Sequence, residues 1–172
     1  RGKHMNISDI QVMYDYNQWA NRIILGKAAQ VTSEQFNQPT NFPWKNLRGT
    51  LLHTMNAENI WRLICQTGQR PNQRLGETQP FETLDSIRLV WQEEANAMQN
   101  YLASLNNTPM DTLIRYTRPD GVYERVLWHC LYHMINHGMQ HRSECAAMLT
   151  DFGYSPGDID FTHFLNQRAG IE

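Results

Sequence analysis

Four long stretches of this chain carry apolar residues at spacings of three and four, and each is closed by a cluster of proline, glycine or asparagine. That period marks a helix with one face against a core, so the four stripes must be buried against one another. The first runs from Asn6 to about Gln30, where Ile10, Met13, Asn17, Ala20 and Ile24 share a face widened by Trp19 and Ile23. The second begins at Asn46, a competent N-cap, and ends at Thr67, with Gly68 suited to the left-handed residue that closes a helix. Its stripe holds Gly49, His53, Asn56, Ala57, Ile60 and Ile64. The third starts near Thr83, passes Ile87, Trp91, Ala95, Met98 and Leu102, and breaks at Asn106-Asn107-Thr108-Pro109. The fourth spans about Val126 to Asp151, with Leu127, Leu131, Met134, Gly138, His141, Cys145 and Met148 on one face.

The connections are legible from their breakers. Pro39 and Pro43 make Val31 to Lys45 a connection with one helical turn at Ser33–Phe36, and Pro71, Gly76 and Pro80 make Gln69 to Phe81 a loop. Around Arg118-Pro119-Asp120-Gly121 the pattern changes to short β-prone runs, which predicts a small hairpin. A short helix is expected at Phe161–Gln167. The expected fold is all-α: an antiparallel four-helix bundle with a long crossover and the hairpin before the last long helix, one domain over residues 6–172. Residues 1–5 read as a vector-derived remnant, which removes His4 from any ligand count.

Charge and composition narrow the function. Fifteen Lys and Arg against 17 Asp and Glu leave a formal charge of −2 and no basic surplus for a phosphate backbone, so nucleic acid is not the expected partner. Cys65, Cys130 and Cys145 are an odd number in helical stretches, as in a reducing compartment. No apolar run reaches the roughly 18–20 residues of a membrane span, and the chain reads as cytoplasmic. Glycine-rich nucleotide motifs do not occur.

Chemistry concentrates in histidine. His129, His133, His137 and His141 stand at successive i,i+4 positions of the fourth helix. Neighbours in such a ladder lie one turn apart and about 40° around, so an adjacent pair can aim at one ion, while a drift of about 120° across all four forbids a single four-ligand site. Spacing alone does not choose the pair. His53, on the inner stripe of the second helix, is the third candidate, and three imidazoles leave a coordination position open for water or substrate, as catalytic zinc requires. His129 and His133 are expected to be partly exposed or to support a ligand, with His133 the alternative to His141. Asn56, three residues beyond His53, either orients a ligand or metal-bound water or bonds within the core. Glu58, Glu93 and Glu94 read as solvated helix-face charges, and Trp61, Trp91 and Trp128 as core.

Tyr14-Asp-Tyr-Asn-Gln-Trp-Ala-Asn21, Leu51-Leu-His53, His133-Met-Ile-Asn-His137-Gly-Met-Gln-His141-Arg142 and Gly153-Tyr-Ser-Pro-Gly-Asp-Ile-Asp160 occur in that order along nearly the whole chain. Together they resemble the DinB/YfiT-like family of metalloenzymes. The resemblance implies a four-helix bundle, often a homodimer, holding a divalent metal, zinc or nickel, on His53, His137 and His141. Relatives in that family include thiol-dependent transferases and isomerases, which implies a low-molecular-weight thiol among the small-molecule substrates, and a metal could equally generate hydroxide for a hydrolytic reaction; the alternative is a non-catalytic bundle whose metal stabilises the fold or a dimer. One departure stands out. Where the family usually has Gly-Gln after the His-Arg pair, this chain has Ser143-Glu144, beside Arg142.

Overall fold

The structure is a computed structural model that describes residues 5–78 and 80–171. The expected remnant therefore lies outside the described residues except for Met5. The chain is mostly helical, with a small two-stranded sheet. Its elements are α1 (Ile7–Ala28), α2 (Ser33–Asn37), α3 (Leu47–Thr67), α4 (Leu75–Thr78), α5 (Leu84–Ser104), β1 (Leu113–Arg118), β2 (Gly121–Val126), α6 (Leu127–Asp151) and α7 (Phe161–Ala169).

Local chemistry sets the boundaries. The Asn6 side chain accepts from the backbone N–H groups of Ser8 and Asp9 while Asp9 accepts from Asn6, which closes a capping box at the start of α1. The Asn46 and Thr83 side chains cap α3 and α5 by accepting from the backbone N–H groups of Gly49 and Ser86, and Gly68, at φ 70°, ends α3 in the left-handed region. Helix α6 has no side-chain cap. Its first N–H groups, of Leu127 and Trp128, donate instead to the carbonyls of Thr112 and Met110, the segment that enters the hairpin. The hairpin thus caps the helix it precedes. Arg118 pairs with Gly121 across the Pro119-Asp120 turn, as the turn chemistry predicts.

Each long helix packs on two others: α3 on α6 and α5, and α1 on α6 and α5. The buried side chains form two large apolar clusters. One contains Ile10, Tyr14, Met98, Leu102, Leu127 and Leu131, and the other Ile24, Leu51, Met55, Ile87, Cys145 and Met148. The order of these residues shows that α1 and α6 run from the first cluster to the second and that α3 and α5 run back. Only the connection from α3 to α5 therefore has to traverse the molecule. It contains a departure from the sequence reading, since the expected loop over Gln69–Phe81 includes the helical turn α4. Gly76 disfavours a helix there, but the Asn56 carboxamide oxygen accepts from the Leu75 N–H at 2.8 Å and the Glu77 carboxylate from the Arg74 N–H at 3.1 Å. Tertiary bonds overrule weak propensity.

Between the apolar clusters lies a buried polar layer whose two acids, Glu58 and Glu94, the sequence reading placed in solvent. Glu58 is 1% exposed. Its carboxylate accepts from Asn17 and Asn21 at 2.8 and 2.9 Å and from the Trp91 indole at 2.9 Å. The two asparagine oxygens accept in turn from Arg142, so a carboxylate and a guanidinium are joined through two carboxamides. Glu94 is also buried, bonded to Arg62 and Asn59. Glu93 is exposed, as expected. The reason for the difference is that each buried acid faces nitrogen donors from neighbouring helices, which no single-helix pattern displays.

Candidate metal centre

Helices α3 and α6 press together along much of their length, and this contact carries His53 to His137 and His141. The Nε2 atoms of His53 and His137 lie 3.1 Å apart, and those of His137 and His141 3.2 Å apart. The ligand atoms of all three fall within 4.8 Å of one another. Nitrogens bound tetrahedrally to one ion at about 2.0–2.1 Å stand roughly 3.3–3.4 Å apart, close to the two separations from His137.

Each ring has its orientation set by a different contact. The His141 Nδ1 meets a Glu144 carboxylate oxygen at 2.8 Å, so Nδ1 carries the donated hydrogen and Nε2 keeps a lone pair facing the cluster. Trp44 stacks on His53 with ring centroids 3.7 Å apart and planes 15° apart. That stack depends on a glycine: a Cβ on Gly49 would collide with the Trp44 carbonyl oxygen. His137 is wedged between the other two, and its buried Nδ1 has no hydrogen-bond partner among the described residues.

Burial, reinforced by the neighbouring imidazoles, pulls the His53 pKa down to about 3 and that of His137 to about 4. Both are neutral near pH 7, the state a metal ligand needs. Three imidazole nitrogens facing one another cannot all be satisfied by hydrogens, because His137 Nε2 can donate to only one neighbour. The donor set fits a divalent cation.

His53 and His137 also line a cavity of about 460 Å³. Its other walls come from α3 (Leu52, Ile60, Ile64), from the crossover and from the hairpin. His133 stays outside the cluster, its ring centroid 5.9 Å from that of His137, and packs edge-on against Trp61. His129 is exposed, as expected. Asn56 donates to the Leu52 carbonyl and accepts from Leu75, so its amide holds the crossover. Trp61, expected in the core, is half-buried and lines the cavity, whereas Trp91 is buried and Trp128 packs against the first cluster.

Trp44 and Glu144 were not legible as parts of the site. The first lies in a connection with no helical pattern, and the second marked only a departure from the family. Glu144 had one usable signal: it stands three residues beyond His141, which puts it on the same helix face.

These features define a helical protein with a three-histidine cluster at the junction of two helices, beside an open cavity. The DinB family profile matches residues 4–170, and the chain belongs to that family. It is similar to the protein DinB of Bacillus subtilis (strain 168), with 21% identity over 158 residues covering 89% of this chain and 91% of that protein.

Proposed function

We propose that His53, His137 and His141 hold one divalent ion, zinc or nickel, and that the protein is a metal-dependent enzyme of the thiol S-transferase or hydrolase kind. The observation that carries this reading is the convergence of three imidazole nitrogens, those of His53 and His137 held neutral by burial, beside a cavity large enough for a small substrate. We read the four long helices as a four-helix bundle with one crossover, from α3 to α5. A bound metal would lower the pKa of a thiol or water it holds and so supply a nucleophile at neutral pH. The protein's part is to keep His53 and His137 neutral, to fix ring planes through Glu144 and Trp44, and to leave the cavity side open.

A second reading, a metal that only stabilises the fold or a dimer, draws on one observation. The nearest carboxylate, Glu144, is engaged by His141 and is not available as a general base. Elemental analysis of protein prepared without a metal-chelating column tests the site itself. We expect about one equivalent of metal, largely lost in His137→Ala. Stoichiometric metal in the His53→Ala, His137→Ala, His141→Ala triple variant overturns the assignment. Turnover of a small thiol with an electrophile by the zinc- or nickel-loaded protein separates the two readings, and no turnover with any thiol or hydrolysable ester favours the second.

A further inference from the structure

In a chain of net negative charge, the cavity beside the histidine cluster is lined by three arginines, Arg70, Arg74 and Arg118, and one carboxylate, Glu77. They come from separate places: Arg70 from the segment after α3, Arg74 from just before α4, and Arg118 from the end of β1. The guanidinium groups of Arg70 and Arg74 make no ion pair or hydrogen bond among the described residues. Arg118 has a 3.7 Å contact with Asp120, with both side chains about half exposed, and its guanidinium lies 5.4 Å from the centre of the Tyr123 ring. Glu77, whose carboxylate accepts from the Arg74 backbone N–H, and Asp120, within electrostatic reach of Arg118 and Arg70, offset only part of the charge of the three arginines. Apolar lining comes from Ile60, Trp61 and Ile64 of α3.

Surface arginines usually find carboxylates or face open water. Here two unpaired and one weakly paired guanidinium share one concavity with aliphatic and indole surface, and with His53 and His137. Guanidinium groups match the oxygens of carboxylate and phosphate in pairs, which makes such a cluster an oxyanion receptor. We propose that the cavity binds an amphiphilic anion, its apolar body against Ile60, Ile64 and Trp61 and its carboxylate or phosphate at Arg70, Arg74 and Arg118. The proposal rests on the metal reading only in placing the reacting part of that molecule at the histidine cluster. The crossover and the hairpin then have a common task, since each brings arginine to a cavity whose other walls are helical.

The test is calorimetric binding of 4-phenylbutyrate, phenyl phosphate and the neutral 4-phenylbutanol to metal-free and zinc-saturated protein. We expect at least one of the two anions to bind roughly tenfold more tightly than the alcohol in both forms, with a preference that weakens as salt is raised. The better anion identifies the headgroup. In the Arg70→Gln, Arg74→Gln, Arg118→Gln variant the preference is expected to collapse to about twofold or less while the alcohol binds as before. These side chains lie outside the core, and an unchanged thermal midpoint confirms that folding is intact. Equal binding of anions and alcohol overturns the proposal, as does a preference that persists in the variant. A protein that takes up no zinc overturns the metal reading, and the metal-free measurements still decide the anion.

Discussion

At the scale of single residues, the centre of the molecule is governed by Glu58 and Arg142, both almost wholly buried. Burial raises the Glu58 pKa and lowers that of Arg142, while the three donors on the carboxylate and the facing charge oppose those shifts. Each asparagine between them donates to the acid and accepts from the guanidinium, so neither carboxamide can turn without breaking two bonds. Removing one charge leaves the other buried and uncompensated. Glu58→Ala is therefore expected to destabilise the fold by about 3–5 kcal/mol, and Glu58→Met combined with Arg142→Met to cost less than the sum of the two single changes. Denaturant unfolding of the four proteins checks this, and strict additivity would show that the two charges do not communicate through Asn17 and Asn21. The layer was only half legible in the sequence. Asn17 falls on the inner stripe of α1, but nothing in the α3 pattern distinguishes Glu58 from a solvated acid until the Asn17, Asn21 and Trp91 donors are brought to it.

At the scale of elements, the first turn of α3 fixes how the connection before it approaches the histidines. Asn46 caps the helix by accepting from the Gly49 N–H, and the chain just before it passes so close to Gly49 that no Cβ fits against the Trp44 carbonyl. Trp44 is thereby laid on His53. Gly49→Ala should improve intrinsic helix propensity by about 0.5–1 kcal/mol and yet force Trp44 away. The expected outcome is a folded protein with altered Trp fluorescence and metal affinity weakened by about tenfold, as for other losses of a ligand's supporting contact. Unchanged affinity would show that the stack does not orient His53. The long helices were legible to within a residue or two because caps and breakers are local: Asn6, Asn46 and Thr83 each stand where the helix begins. The turn α4 was not, because it is held by Asn56 from another element. The histidine ladder likewise limited the site to an adjacent pair plus His53, but which pair meets α3 depends on the packing of two helices.

For the whole molecule, the histidine cluster joins α3 to α6, so protons and metal should act on global stability with opposite sign. In the unfolded chain, imidazoles take up a proton near pH 6.5. In the folded, metal-free protein His137 resists protonation down to about pH 4 and His53 to about 3. The unfolded state thus binds more protons throughout that interval, and stability must fall as the pH is lowered from about 6.5 towards 3, with no further loss from these two groups below it. Replacing both by asparagine should flatten that part of the profile in denaturant titrations of metal-free protein, and an unchanged slope would mean that the two rings are not shielded in solution. Metal works in the other direction, since it binds the folded arrangement of ligands. At a free concentration 100-fold above the dissociation constant it adds about 2.7 kcal/mol, or roughly 5–10 °C in Tm for a chain of this size at about 2–4 °C per kcal/mol. Because the metal-free cluster already holds two neutral imidazoles at pH 5, this gain should persist below the pH at which free imidazole would be protonated. A gain that disappears at pH 6 would place the ligands in ordinary solvent and remove the link between burial of the cluster and its readiness for metal.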